Sequence, residues 1–296
     1  MVKQYQINQL YTVNKILIFG VGLIGGSIAL SAKKSGLASD IVGVGRNQDN
    51  LNDAIKLKLI DRTSQELNKD IAEAHIIIIA TPVAQFPLIL KTIQPHLSSH
   101  TIITDVGSTK TSVIESAKQI LGSQYSQFIG GHPIAGSEKH GATAAHIDLF
   151  KDKNVILTPD QDTSSRAKEV IEALWKNAGA IVSNMSHSDH DKIFSTISHL
   201  PHLLAFSLVD MITQRANANE LLKFAASGFK DFTRIAASSP EMWKDITLAN
   251  KKFILDDIKH FENQIKLLKE AIEHEDEKKI LTLFENASKT RSEWSR

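Results

Sequence analysis

The chain is predicted to be an α/β protein in two parts, a doubly wound sheet with helices on both faces followed by an all-helical unit. Three observations carry that expectation. Short β-branched runs alternate with longer amphipathic segments as far as Ser183, the pattern of repeated βαβ units. Ile76-Ile77-Ile78-Ile79 has no polar alternation, which suits a central parallel strand buried on both faces. From Ser188 to the end the sequence offers only helical periodicity.

The elements follow in order. Strands are expected at 15–19, 41–44, 76–80, 101–105, 127–130, 154–158 and 180–183, with helices at 23–35, 49–57, 86–94, 111–121 and 165–178 between them. Such alternation places a ligand at the carboxyl ends of the strands. The helical half reads as 189–213 with a kink at Pro201, then 219–226, 240–274 with a break allowed inside it, and 276–294. Pro240 follows Ser238-Ser239, so it suits a first helical turn with serine as the N-cap. The change of pattern near Asn184 divides the chain into domains 1–184 and 185–296.

Composition narrows the function classes. A length of 296 residues accommodates two domains, since single domains run to roughly 100–200 residues. A formal net charge of +1 and no basic stripe argue against a nucleic-acid partner. Cysteine is absent, which removes disulfides, thiolate catalysis and cysteine metal sites, and fits a reducing cytosol. The polar segment 1–14 lacks the apolar core of a signal peptide. The longest apolar runs are strand-sized, far short of the ~20 residues of a membrane helix. A cytoplasmic protein with no membrane partner is expected, and the chemistry below needs no metal.

Gly20-Val21-Gly22-Leu23-Ile24-Gly25 follows a strand and opens a helix, the context a Rossmann dinucleotide loop requires. Gly20 permits the tight turn, Gly22 admits the pyrophosphate, and Gly25 lets helix and strand approach. The free amides of the first turn, at Leu23 and Ile24, then face the phosphates with the helix dipole behind them. NAD-binding domains place an acid about 20 residues further on, against the ribose 2′-hydroxyl. Here the second strand ends in Val44-Gly45-Arg46, a glycine followed by an arginine. Without the carboxylate a 2′-phosphate is not repelled, and a guanidinium can fork onto it. NADP is therefore the preferred cofactor over NAD, the alternative being that Arg46 is only a solvated residue at a strand end.

Further motifs fall at strand ends on the same edge. Gly130-Gly131-His132-Pro133-Ile134-Ala135-Gly136-Ser137-Glu138 follows one strand, and Asp105-Val106-Gly107-Ser108-Thr109-Lys110 ends another. With the glycine loop and Ala80-Thr81-Pro82, they resemble the prephenate/arogenate (cyclohexadienyl) dehydrogenase family of tyrosine biosynthesis. The helical half continues the likeness with Ser198-His199-Leu200-Pro201-His202, Gly228-Phe229-Lys230-Asp231-Phe232-Thr233-Arg234-Ile235-Ala236 and Met242-Trp243. The likeness spans nearly the whole chain, with the motifs in order.

That resemblance implies a reaction and its residues. Hydride leaves the hydroxyl-bearing carbon of a cyclohexadienol for the nicotinamide, CO₂ leaves the opposite carbon, and the ring becomes aromatic. His132 matches the catalytic histidine that bonds the ring hydroxyl, and a neutral imidazole suits that task. Ser108 matches the serine that helps to orient it. Arg234 matches the arginine that binds the substrate carboxylate, through two parallel bonds. Ser137 stands where relatives often carry threonine. Glu138, Lys230 and Asp231 match polar positions at the site mouth, Thr81 and Pro82 border the cofactor, and His202 lines the site. His199 reads as a core histidine, and Trp243 as more often core than substrate-facing. The resemblance also implies a homodimer through the leucine-rich helices. Some relatives carry a fused chorismate mutase or regulatory domain. With only a short leader before Lys15 and an end within the last helix, tyrosine feedback, if present, is expected to act at the active site. Prephenate and arogenate differ only in a keto or amino group, and no residue decides between them.

Two other classes share parts of the pattern. A dehydrogenase for an imine or hydroxy acid would have the glycine loop without both the His132 and the Lys230–Arg234 regions. A non-catalytic dinucleotide sensor would need neither a histidine nor an arginine beside the nicotinamide.

Overall fold

The computed structural model describes residues 13–137 and 139–294. Its strands are β1 (Lys15–Phe19), β2 (Asp40–Val44), β3 (Arg62–Thr63), β4 (Ile76–Ile79), β5 (Ile102–Asp105), β6 (Phe128–Pro133), β7 (Asn154–Thr158) and β8 (Ile181–Asn184). Between them run α1 (Leu23–Lys34), α2 (Gln48–Lys56), α3 (Leu67–Glu73), α4 (Phe86–Ile93), α5 (Thr111–Leu121) and α6 (Ser165–Asn177). The seven expected strands and five expected helices all form, with ends shifted by a residue or a few. β3 and α3 were not anticipated: two residues carry no period, and α3 is a single short amphipathic stretch.

One eight-stranded sheet has the order β3-β2-β1-β4-β5-β6-β7-β8. The chain winds outward one way through β2 and β3, then returns to lay β4 beside β1 and winds out the other way. The crevice between the ends of β1 and β4 is therefore a topological switch point, where ligands of open α/β sheets bind. The isoleucine run shows how the sheet is buried. Ile76 and Ile78 pack with Ile28, Ala32, Val170 and Trp175 of α1 and α6. Ile77 and Ile79 pack with Phe86, Leu90, Val113 and Ile114 of α4 and α5 on the opposite face. The two-residue alternation of strand side chains needs apolar residues at every position when helices cover both faces.

The sheet is mostly parallel, with one antiparallel pairing. β6 pairs antiparallel with β7, Gly130 opposite Thr158 and Pro133 opposite Val155, and β8 then runs parallel to β7. The described residues of the β6–β7 connection contain no long helix, and the turn Ala142–Ala144 packs against α1 instead. There His146 N–H donates to Ser27 Oγ at 2.9 Å.

The remainder is helical: α7 (His187–Phe194), α8 (Leu200–Thr213), α9 (Ala218–Lys223), α10 (Ser227–Thr233), α11 (Pro240–Ala249), α12 (Lys251–Glu273) and α13 (Glu277–Trp294). The kink expected at Pro201 is a π-helical turn, Ser195–His199, that joins α7 to α8. Proline removes one helical hydrogen bond and its ring crowds the carbonyl four residues earlier, and a wider turn relieves both. The break within 240–274 falls at Asn250, which ends α11 and precedes α12. Its side chain donates to the Asp191 carbonyl at 2.8 Å, committing that residue to another helix. α10 was not anticipated, because its sequence carries glycine and few buried positions. No helix among the described residues is long and apolar enough to cross a membrane.

Candidate active site

The glycine loop fits a dinucleotide. Gly20 has φ +91°, a conformation that other residues rarely adopt, and a side chain there would meet the Ala80 carbonyl. A Cβ on Gly25 would strike the Gly20 carbonyl oxygen. Gly22 differs, with nothing within 4 Å of the space its Cβ would fill. That opening lies at the start of α1, where Gly22 supplies no side-chain cap and the Leu23 and Ile24 amides begin the helix. Thr81 and Pro82 follow β4. The Thr81 methyl group stands against Gly20, and its buried hydroxyl has no protein partner, as a group reserved for a ligand would. Arg46 is exposed just beyond β2, next to Asn47, whose side chain caps α2 by accepting from Asn50 N–H. Asn50 then joins two loops: its Nδ2 donates to Val21 O at 2.7 Å and its Oδ1 accepts from Ala142 N–H at 2.7 Å.

Two strands further along, the ends of β5 and β6 are clamped by a fully buried ion pair. Asp105 accepts from Gly107 N–H at 2.7 Å and Gly131 N–H at 3.0 Å. Lys110 Nζ donates to the same carboxylate, and to Gly131 O at 2.7 Å. Burial pushes the Asp105 carboxyl up and the Lys110 ammonium down, while each partner's charge and bonds resist. The clamp fixes the Val106–Thr109 loop, which carries Ser108, and the strand that carries His132.

His132 is half-buried on β6. Its Nδ1 lies 2.8 Å from His190 Nε2, and His190 Nδ1 lies 2.8 Å from Asp191 Oδ1. Asp191 also accepts the first amides at the head of α5, from Lys110 at 2.7 Å and Thr111 at 2.8 Å. Phe194 stands edge-on to His132 at 5.0 Å. Burial, followed by the charges of His190, Lys110 and His199, holds the His132 pKa well below 6.5. The ring is neutral at physiological pH, as a proton acceptor must be.

The helical half supplies the other wall. His199 is buried, with Nδ1 3.0 Å from Asn250 Nδ2 and no bonding partner for Nε2; burial pushes its pKa down to about 4. The Ser108 main chain and His202 are both close enough to influence it. His202 stacks on the buried Trp243 with centroids 3.7 Å apart, and its Nδ1 donates to Ser198 O at 2.8 Å. Arg234 opens a 3₁₀ turn packed on α8, near enough for its charge to lower the His202 pKa beyond what burial does.

The structure thus brings His132 and the Ser108 loop together on one strand edge, and His202 with Arg234 on the facing helices, with His199 between. Ser137 and Lys230 are exposed, and among the described residues no contact ties either to these groups. Ser137 Oγ accepts from Lys139 N–H at 3.1 Å, Asp231 is likewise exposed, and Glu138 lies outside the described residues. His190, Asp191, Lys110 and Asn50 take part in these contacts although no sequence motif assigns them a role. The run His187-Ser188-Asp189-His190-Asp191, dense in titratable groups before an apolar helix, was the one available signal.

The relationships of the chain accord with this geometry. Residues 28–184 match the family model for the prephenate dehydrogenase nucleotide-binding domain, and residues 186–286 match that for the prephenate dehydrogenase dimerization domain. The chain belongs to the prephenate dehydrogenase family. It is 43% identical to the prephenate dehydrogenase of Bacillus subtilis over 92% of this chain and 74% of that protein. It is 33% identical to the cyclohexadienyl dehydrogenase of Zymomonas mobilis over 93% of this chain and 94% of the relative. The crystal structure of Aquifex aeolicus prephenate dehydrogenase with hydroxyphenyl propionate and NAD+ superposes with a TM-score of 0.89 at 36% identity, covering 96% of this chain and 99% of that one. As a family member the chain is a nicotinamide-dependent dehydrogenase.

Burial of the imidazoles makes stability depend on pH. His132, His190 and His199 all have folded-state pKa values below 6.5, with burial the largest cause. The unfolded chain therefore takes up protons first as the pH falls, and stability that is complete above 6.5 is lost toward the folded values. Each unit of depression corresponds to about 1.4 kcal/mol. Urea midpoints measured across pH should be flat above neutrality and fall as the pH drops from 6.5 toward the His199 value of about 4. A midpoint unchanged over that interval would contradict the assignment.

Proposed function

We propose that the chain catalyses oxidative decarboxylation of prephenate, arogenate or both, giving 4-hydroxyphenylpyruvate or tyrosine with reduction of a nicotinamide dinucleotide. The neutral His132, held at the carboxyl edge of the sheet beside the dinucleotide crevice, is the observation that carries this reading. The bound dinucleotide would supply the hydride acceptor. His132 takes the proton of the ring hydroxyl as hydride leaves the same carbon, and Ser108 helps to orient that hydroxyl. Loss of CO₂ from the opposite carbon makes the ring aromatic, so the protein supplies alignment and one proton acceptor rather than the driving force. Arg234 receives a substrate carboxylate, with His202, Ser137 and Lys230 completing the polar surround.

In this reading residues 1–184 hold the dinucleotide, through Gly20, Gly22, Leu23, Ile24, Gly25, Thr81 and Pro82. Residues 185–296 complete the substrate site and pair with a second copy. The exposure of Leu255, Ile265, Leu267 and Ile272 on α12 and of Leu281 and Phe284 on α13 supports that pairing, since monomers rarely leave such a surface to water. The Gly45-Arg46 pair supports NADP over NAD, because a glycine follows β2 where NAD-binding domains carry an acid, and Arg46 is exposed beside it.

Three outcomes are expected. Replacing His132 with Asn should lower kcat by about 10²–10⁴, the usual worth of a general base, while dinucleotide affinity by fluorescence titration stays within about twofold; unaltered turnover would reject the mechanism. With both cofactors and both substrates assayed side by side, kcat/KM should be higher for NADP, and Arg46→Ala should erase the difference. A strong preference for NAD would sink that part of the reading. Light scattering should give twice the 32.7 kDa chain mass, and a single-chain mass would remove the dimer.

A further inference from the structure

We propose that His190 is a positioning and proton-sharing residue, which sets the tautomer of His132 and receives its proton while Asp191 holds the resulting charge. The inference rests on the reaction assigned above and concerns a residue that the reaction alone does not call for.

The hydrogen-bond geometry leaves one consistent assignment. Asp191 accepts from Lys110 N–H, Thr111 N–H and the His190 ring, and this set of donors holds it as a carboxylate. A carboxylate has no proton to give, so His190 Nδ1 must be the donor toward it. Neutral His190 then presents a bare Nε2. The 2.8 Å contact to His132 Nδ1 needs one proton between two nitrogens, so His132 Nδ1–H donates. His132 is left with its lone pair on Nε2, ready to accept the substrate proton.

The same chain can relay that proton. The hydroxyl O–H bond breaks as an N–H bond forms on His132 Nε2. The Nδ1–H bond of His132 then breaks as one forms on His190 Nε2, returning His132 to neutrality in its other tautomer. The positive charge ends on His190, in contact with the Asp191 carboxylate. Phe194 packs against both rings, at 5.0 Å from His132 and 4.5 Å from His190, and His190 is fully buried. The charged and titratable groups facing the pair are Lys110 and Asp105 from the β5 end, His199 from the π turn and Asp191 from α7. Lys110 opposes a cation on either ring and His199 opposes one on His132. Asp191, bonded to His190, and Asp105 favour a cation on His190, and neither acts so on His132, which biases the shared proton toward His190.

Two measurements test this. Ring ¹⁵N spectra of the full histidine-labelled chain at neutral pH, with His132 assigned through His132→Gln, should show the His132 proton on Nδ1. A proton on Nε2 would overturn the proposal, and this measurement needs no substrate. In turnover, His190→Phe should lower kcat about tenfold to a hundredfold, below the full worth of a general base, with the dinucleotide KM within twofold. His190→Gln can still accept from His132 Nδ1–H and should recover part of the loss, because it restores the tautomer but not the relay. Wild-type kcat and pH profile in His190→Phe would overturn the proposal. If neither variant folds, the wild-type tautomer decides. Absence of turnover of prephenate and arogenate by the unsubstituted chain would instead overturn the functional reading.

Discussion

Asp191 is the point at which the sheet and the helical half become one object. Its carboxylate closes the head of α5 by accepting the Lys110 and Thr111 amides, its main-chain carbonyl accepts Asn250, and its neighbour His190 reaches His132 on β6. A helix start normally leaves several amides without intrahelical partners, and these are more often met by a residue of the same segment. Here a side chain from a different part of the chain meets them. The position of α7 against β6 is thereby coupled to the start of α5, and the wall formed by His199 and His202 inherits that position.

The Asp105–Lys110 pair sets a second constraint. Both groups are fully buried, and two such charges are costly to remove from water. The cost is offset because every polar partner is local: two backbone amides on the carboxylate and one backbone carbonyl on the ammonium, besides the pair itself. Those backbone groups belong to the loop after β5 and to β6. The pair therefore fixes the spacing between the Ser108 loop and His132, and the charge of its positive member helps to hold the His132 pKa down.

What the sequence made legible, and what it did not, follows from the range of each interaction. The glycine loop was readable because backbone sterics are local: Gly20 and Gly25 are demanded by atoms a few residues away or on the adjoining strand. Ile76–Ile79 was readable because burial on both faces leaves a one-dimensional mark. The antiparallel β7 was not, since the same Val-Ile-Leu run serves either direction and the partner strand decides. Nor did the π turn announce itself, because Pro201 predicts a disturbance without saying which. His132, Ser108 and Arg234 stood out through motifs, whereas the roles of His190 and Asp191 depend on contacts across 58 and 81 residues of chain. Residue types hinted at them, but no spacing rule reaches that far.

The π turn has one more consequence, and it concerns phase. A helix advances about 100° per residue, so a single extra residue within one turn rotates everything beyond it by that amount. Ser195–His199 is therefore an angular offset written into an otherwise continuous rod from His187 to Thr213. Upstream of it, His190 points toward the sheet; downstream, His202 lies flat on Trp243. The irregular turn lets a single helical rod serve both walls of one cleft.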